Sequence, residues 1–256
     1  MANYLTTFNT YADYSGATLD LPNVSLIKSE GKVYYKNIFA GAVLGDILMY
    51  DVANDKLVCT VDAQWDATTY PIASYEPIAI NIYPASQTPD NKARFMALKW
   101  ASNASASGST TVVQLLWGPN STTAGDITST DENALNGRAN TDKAVAAMPN
   151  TSGNTQDEYP IFYAVNQFYT NGTSAGDWYV PSKHELDLYQ ANYATINANI
   201  TLIKNASSSI VNTVNSRQWC STEKNTVLAW SLTNNGEFVV YEARNNSKGV
   251  RGVISL

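Results

Sequence analysis

Histidine occurs once in the chain, at position 184, so a paired-histidine metal site or a Ser/His/Asp triad would have to centre on His184. His184-Glu185 is not followed by the second histidine of a zinc-peptidase helix. Ser182 and Glu185 have the spacing of a capping box, which accounts for the position without chemistry. Cys59 and Cys220 are the two cysteines, and each sits in a strand-like apolar stretch where a buried free thiol is expected rather than a disulfide. The acidic pairs Asp131-Glu132 and Asp157-Glu158 fall in polar stretches, where solvated charge is the default. Gly41-Ala42-Val43-Leu44-Gly45-Asp46 carries part of the spacing of a phosphate loop but lacks its lysine. No catalytic residue, metal site or cofactor is expected from these positions, and the chain reads as a non-enzyme.

The elements that would carry these residues are clearest around His184. Pro181 keeps the chain extended before the capping box, and a helix is expected from Lys183. Leu186, Tyr189, Tyr193, Ile196, Ile200 and Ile203 then recur at intervals of three and four, the apolar stripe of one or two consecutive helices on a core. A shorter helix is expected from Asn140-Thr141-Asp142, and another over 161–169. β-rich runs lie at 33–35, 47–52 and 56–61, the last two forming a hairpin around Ala53-Asn54-Asp55. A second pair is expected at 77–83 and 93–98, and further strands at 217–221, 227–232, 237–241 and 249–256. Asn235-Gly236 reads as a type I′ turn. The stretch 101–153 is dominated by Ser, Thr, Asn, Ala and Gly around one apolar island at 112–117, which suggests a fold with long loops.

The chain is 256 residues long, 44% hydrophobic and 15% charged, enough for one large or two small domains with a core. Its net charge of −6 and the absence of a basic cluster argue against a nucleic-acid partner. The longest apolar run, 38–50, is broken by Gly41, Gly45 and Asp46 and is too short to span a bilayer, so no membrane insertion is expected. Met1-Ala2-Asn3-Tyr4-Leu5 shows no secretion-signal pattern, and folding in a cytoplasm is expected.

Five segments taken in order, Gly137-Arg138-Ala139-Asn140-Thr141, Trp178 to Leu186, Trp219-Cys220-Ser221-Thr222-Glu223, Ala229-Trp230-Ser231 and Val250-Arg251-Gly252-Val253, resemble a C-type-lectin-like family. That family is found in gut bacterial surface proteins and in fibres of their phages. The resemblance covers roughly residues 77–256 and implies an α+β fold with two helices, antiparallel sheets and long loops. It marks Trp178, Pro181, Glu185, Trp219, Glu223, Trp230 and Arg251 as a fold signature. The tryptophans would be anchors, Glu223 would accept from loop amides, and Arg251 would pair with a carboxylate. The Glu-Pro-Asn, Gln-Pro-Asp and Trp-Asn-Asp signatures of calcium-dependent sugar binding are missing, so that activity is not implied. Lectin-like folds also host a cysteine-dependent oxidase that needs two cooperating cysteines. Here Cys59 lies outside the matched region, and Cys220 stands where the family usually has serine.

Residues 1–35 carry Tyr4, Phe8, Tyr11, Leu19 and Leu21 among polar residues with no clear period, which reads as an attachment arm or as a terminal edge strand. With the hairpin at 45–51 they resemble head fibre proteins of crAss-like phages. The resemblance implies three parts: an arm at 1–35 that attaches to a capsid, a β-hairpin stem at 36–76 and the lectin-like domain at 77–256. The implied function is a structural bacteriophage virion protein, a head fibre or capsid decoration on the capsid surface. Its partners would be two further copies of itself in a homotrimer, the major capsid protein or another virion protein, and a host surface glycan or protein. The alternatives are a tail-fibre host-recognition module and a bacterial surface adhesin subunit.

Overall fold

Successive side chains of the central strands point to opposite faces, and because most of them are buried, each face of the central sheet packs on a core of its own. The computed structural model describes residues 5–8, 24–29, 32–60, 65–119, 127–148, 158–211, 216–233 and 238–256. Strands β1 (Leu5–Phe8), β2 (Val24–Ser29) and β3 (Lys32–Asn37) form an antiparallel sheet in the order β1-β3-β2. The central sheet holds β4 (Ile47–Asp51), β5 (Lys56–Cys59), β6 (Tyr75–Tyr83), β7 (Arg94–Ala97) and, from the far end of the chain, β13 (Val253–Ser255). Its order is β13-β7-β6-β4-β5, with every neighbouring pair antiparallel. Asp55, in the left-handed region at φ 48°, closes the expected hairpin between β4 and β5. The boundary expected between residues 76 and 77 falls inside β6. Because β4 pairs with β6, the hairpin and the segments after it share one sheet. Pro77 sits on an inner strand opposite a register shift between Leu48 and Met49, where its missing N–H is tolerated.

Leu48, Ala79, Phe95, Ala97 and Ile254 belong to one core, and Ile47, Met49, Ile80, Ile82, Met96 and Val253 to the other. Helices α1 (Gly137–Ala147) and α2 (Pro160–Gln167) contribute Ala144, Ile161, Phe162 and Val165 to the first core, beside Trp117, Trp178 and Trp219. Trp117 meets Phe162 edge-on at 5.0 Å, and Phe168 meets Trp178 at 5.2 Å. The second core receives the stripe read from the sequence, carried by a 3₁₀ turn at His184–Leu186, α3 (Asp187–Ala191) and α4 (Tyr193–Ala206). Leu186, Ile196, Ile200 and Ile203 are fully buried, each such side chain contributing about 1.5–3 kcal/mol.

The remaining strands are β8 (Leu115–Leu116), β9 (Gln218–Asn225), β10 (Leu228–Leu232), β11 (Phe238–Ala243) and β12 (Ser247–Lys248). They make a sheet of order β11-β10-β9 and a small β12-β8 pair. Of the island at 112–117, Leu115 and Leu116 are the residues in a strand. Asn235-Gly236 lies outside the described residues.

The chain is therefore an α+β fold with antiparallel sheets, and the described residues hold four α-helices, where the resemblance implied two and the local patterns pointed to three or four. Asn192, at φ −118° and ψ 20°, breaks the long stripe into α3 and α4. The short helix expected at Asn140 begins at Gly137 instead, because its cap comes from a residue distant in sequence.

Candidate functional site

That cap is Glu185. Ser182 and Glu185 close the capping box: Ser182 Oγ accepts from the Glu185 N–H at 3.2 Å, and Glu185 Oε2 accepts from the Ser182 N–H at 2.8 Å. Oε2 also accepts the first N–H of α1, from Gly137, at 3.1 Å. Oε1 accepts from Tyr179 Oη at 2.8 Å and from Arg94 Nε at 3.3 Å. A carboxylate only 1% exposed thus serves four donors and sits at the positive end of the α1 dipole. Tyr179 donates its proton to Glu185, so Ser255 Oγ, 3.0 Å away, donates to the tyrosine oxygen. Burial first, and the Glu185 charge second, hold the Tyr179 phenol well above its usual range. Arg94 completes the cluster through Asp90 Oδ2 at 2.8 Å and the Lys92 carbonyl at 3.0 Å.

Asn140, Thr141, Ser221 and Thr222 tie three of the motif segments together, and the remaining motif residues make contacts of their own. Asn140 donates to Ser221 Oγ at 3.1 Å, and Thr141 Oγ1 accepts from the Val180 N–H at 2.9 Å. Thr222 Oγ1 accepts from the Lys183 N–H at 2.9 Å, and the carbonyl of the buried Pro181 accepts from the Ser221 N–H at 2.7 Å. Glu223 Oε1 accepts from the loop amides of Ile127 and Thr128, both at 3.2 Å, and pairs with Arg244 at 2.9 Å. Arg244 lies 4.7 Å above the Trp117 ring. Trp178 donates to Thr173 Oγ1 at 3.0 Å and Trp219 to the Leu115 carbonyl at 3.2 Å. The Trp230 ring lies under the ammoniums of Lys183 and Lys224. Arg251 stacks 4.2 Å over Trp100. At Glu185 and Glu223 the carboxylate-pairing role expected of Arg251 falls to Arg94 and Arg244, which sequence reasoning passed over. An arginine inside an apolar strand, as in Ala93-Arg94-Phe95-Met96, is the signal that would have found one of them.

His184 and the two cysteines make contacts of another kind. His184 Nδ1 meets Asp187 Oδ2 at 2.8 Å, with its ring edge-on to Tyr83. Cys220 donates its thiol proton to the Trp230 carbonyl, and burial pushes its pKa up to about 12. Burial and the Asp46 charge raise the Cys59 thiol further, the opposite of what a nucleophile needs. No group of three or more His, Cys, Asp or Glu among the described residues is placed to share a metal ion. No helix among them is long and apolar enough to cross a membrane. Of the residues expected in the arm, Tyr4, Tyr11, Leu19 and Leu21 lie outside the described residues, and Phe8 pairs with Val33 between β1 and β3.

One surface opens where the buried cluster reaches solvent. A cleft of about 430 Å³ is lined by Lys92, Arg94, Asn136, Arg138, Tyr179 and Ser255, among others. A second cleft, of about 340 Å³, shares Arg138 and Ser255 with it and runs to Gly172, Gly176 and Asp177. Concave surfaces with a few fixed polar groups suit recognition of a small ligand.

No protein-family model matches the chain, and no curated protein matches it. Among solved structures, the chain is similar to a fimbrial protein from Bacteroides ovatus, with a TM-score of 0.52 and 12% identity. The match covers 84% of this chain and 49% of the other, so the chain spans about half the length of that protein. At this identity the likeness is one of fold.

Proposed function

We propose that the chain is a non-enzymatic adhesion subunit of a surface appendage, with a C-type-lectin-like scaffold presenting a binding face. The observation that carries this reading is the likeness to a fimbrial protein over most of the chain. The site chemistry is in keeping with it. Glu185, Glu223, Arg94 and Arg244 are spent on one another and on backbone groups, so the polar interior serves to hold loops and helix starts rather than to move protons. The lectin-like assignment rests on the five ordered motifs, of which those at 137–141, 178–186 and 219–223 are hydrogen-bonded to one another. The experiment is immunogold electron microscopy on cells that produce the chain. Gold along surface filaments or on the cell envelope is expected, and gold confined to the cytoplasm would overturn the reading.

The motif series also resembles phage fibres, which supports a second reading. In it the chain is a head fibre on the capsid surface, a homotrimer held to the major capsid protein through residues 1–35 and touching a host surface glycan or protein. Gold on phage particles, with none on cell surfaces, selects that reading.

A further inference from the structure

The backbone hydrogen bonds around β13 alternate between its two sides. Leu256 exchanges both bonds with Ala93, just before β7, at 2.9 and 3.0 Å, and the Gly252 carbonyl accepts from Ala97 at 2.9 Å. In an antiparallel register these even-numbered positions face β7. The N–H and C=O of Val253 and Ser255 therefore point the other way, to the outer edge of the central sheet. Val253 bears this out by exchanging both of its bonds with Tyr179, at 2.8 and 2.9 Å.

At Ser255 the edge is open. Continued in register from the Tyr179–Val253 bridge, the neighbouring segment would bring Asp177 opposite Ser255. Instead the Asp177 N–H donates to the Ser174 carbonyl at 3.2 Å, and Arg138 Nη2 donates to the Asp177 carbonyl. These bonds draw the segment off the sheet, and among the described residues no backbone group takes its place at the Ser255 N–H and C=O. The smaller cleft, of about 340 Å³, lies at this opening and is lined by Ser255 together with Gly176 and Asp177. Gly176 has open space where a Cβ would stand, so no side chain obstructs it there. Leu57, Ile254 and Leu256 give it an apolar part, and the charges of its two ionic side chains, Arg138 and Asp177, cancel. Such a cleft selects neither an anion nor a cation. What it offers is one donor and one acceptor at the spacing of a strand, which an extended backbone matches with its own C=O and N–H.

We propose that the open edge at Ser255 binds a short, extended, uncharged peptide segment of a partner protein. One residue of the peptide exchanges two backbone bonds with Ser255, and an apolar side chain beside it turns toward Leu57. The Tyr179 pairing at Val253 stops the peptide on one side, so the slot takes a short segment and not a full strand. The inference rests on the adhesion reading and names the class of partner.

The test is an NMR titration of the nitrogen-labelled full chain with an end-blocked Val-Thr-Val-Thr peptide and with the same peptide N-methylated at every residue, repeated on Ser255→Ala and Ser255→Pro. Both variants lose the bond between Ser255 Oγ and Tyr179, but only proline lacks the N–H. That N–H faces outward, so its removal costs the sheet no bond. The Ser255 amide proton should move downfield as the peptide binds, and Ser255→Ala should bind as the natural chain does. Ser255→Pro, read at the Gly176 amide, and the methylated peptide should each weaken binding by about tenfold or more. No movement at Ser255 up to millimolar peptide, equal binding of the methylated peptide, or full affinity in Ser255→Pro would overturn the slot. If Ser255→Pro fails to fold, the methylated peptide on the natural chain decides alone. Movement of the Ser255 amide on concentrating the chain without peptide would assign the edge to a second copy and overturn a separate partner. Failure here with gold still on the cell surface removes the slot but not the adhesion reading; peptide binding by a chain found only in cytoplasm does the reverse.

Discussion

The Glu185 carboxylate accepts the Gly137 N–H at 3.1 Å across 48 residues of sequence, and so caps helix α1 from another part of the chain. A Cβ at position 137 would stand 2.2 Å from Glu185 Oε2 and 2.7 Å from the Ser182 nitrogen. Gly137→Ala should therefore lower stability by about 2–4 kcal/mol through overpacking and loss of the cap. Urea denaturation followed by tryptophan fluorescence reads this directly, and a change below 0.5 kcal/mol, ~ the noise of a neutral surface substitution, would contradict the assigned cap.

Glu185→Gln keeps the shape but sets an amide N–H₂ among four donors and removes the charge beside Arg94. The expected loss is about 3 kcal/mol, the order found when one partner of a buried pair is removed. Asp187→Asn, on a half-exposed carboxylate two residues away, should change stability by less than about 0.5 kcal/mol. Similar losses in the two variants would mean that burial of Glu185 does not matter.

Asp90 and Glu242 are two of the four carboxyls among the described residues, with Asp51 and Asp66, whose pKa is lowered in the fold. Partial burial opposes ionisation of Asp90, but Arg94 outweighs it and lowers the pKa; at Glu242 burial is likewise outweighed by Lys248 and Asn246. Groups with lowered folded-state values stabilise the fold above their unfolded values of about 3.9 and 4.3, and that contribution is lost as pH falls through the lower folded values. Melting temperature should be flat from about pH 7 to 5 and fall below about pH 4. Asp90→Asn should make the acid limb shallower, and an unchanged limb would place the titration elsewhere.

The thiol of Cys220 is buried, with a pKa pushed up to about 12. Iodoacetamide at mildly alkaline pH should leave it unmodified in the native chain and label it in urea. Mass spectrometry showing rapid native labelling would contradict the burial and the protonated state.

Local order was legible where one stretch of sequence settles it. The Ser182–Glu185 capping box, the hairpin around Asn54-Asp55 and the stripe from Leu186 to Ile203 all depend on near neighbours. What escaped was non-local. The start of α1 moved from Asn140 to Gly137 because its cap is supplied by Glu185. The helix break at Asn192 has no proline or glycine to announce it. Placing β4 beside β6, and so joining the expected stem to the next segment, depends on strand pairing that no short pattern encodes. The two clefts were harder still, since Arg138, which lines both, Lys92, which lines the larger, and Asp177, which lines the smaller, come from three separate segments. Each reads as an ordinary surface charge until the fold brings them together.

The central claim is adhesion, and retention of beads coated with the full chain tests it most directly. Fluorescent beads would be washed over mucin, acidic polysaccharide and bacterial-cell surfaces beside albumin-coated beads. Retention above the albumin level on at least one surface, competed by soluble folded chain, is the predicted result. Retention equal to albumin on every surface, with the coated chain still folded, would contradict it.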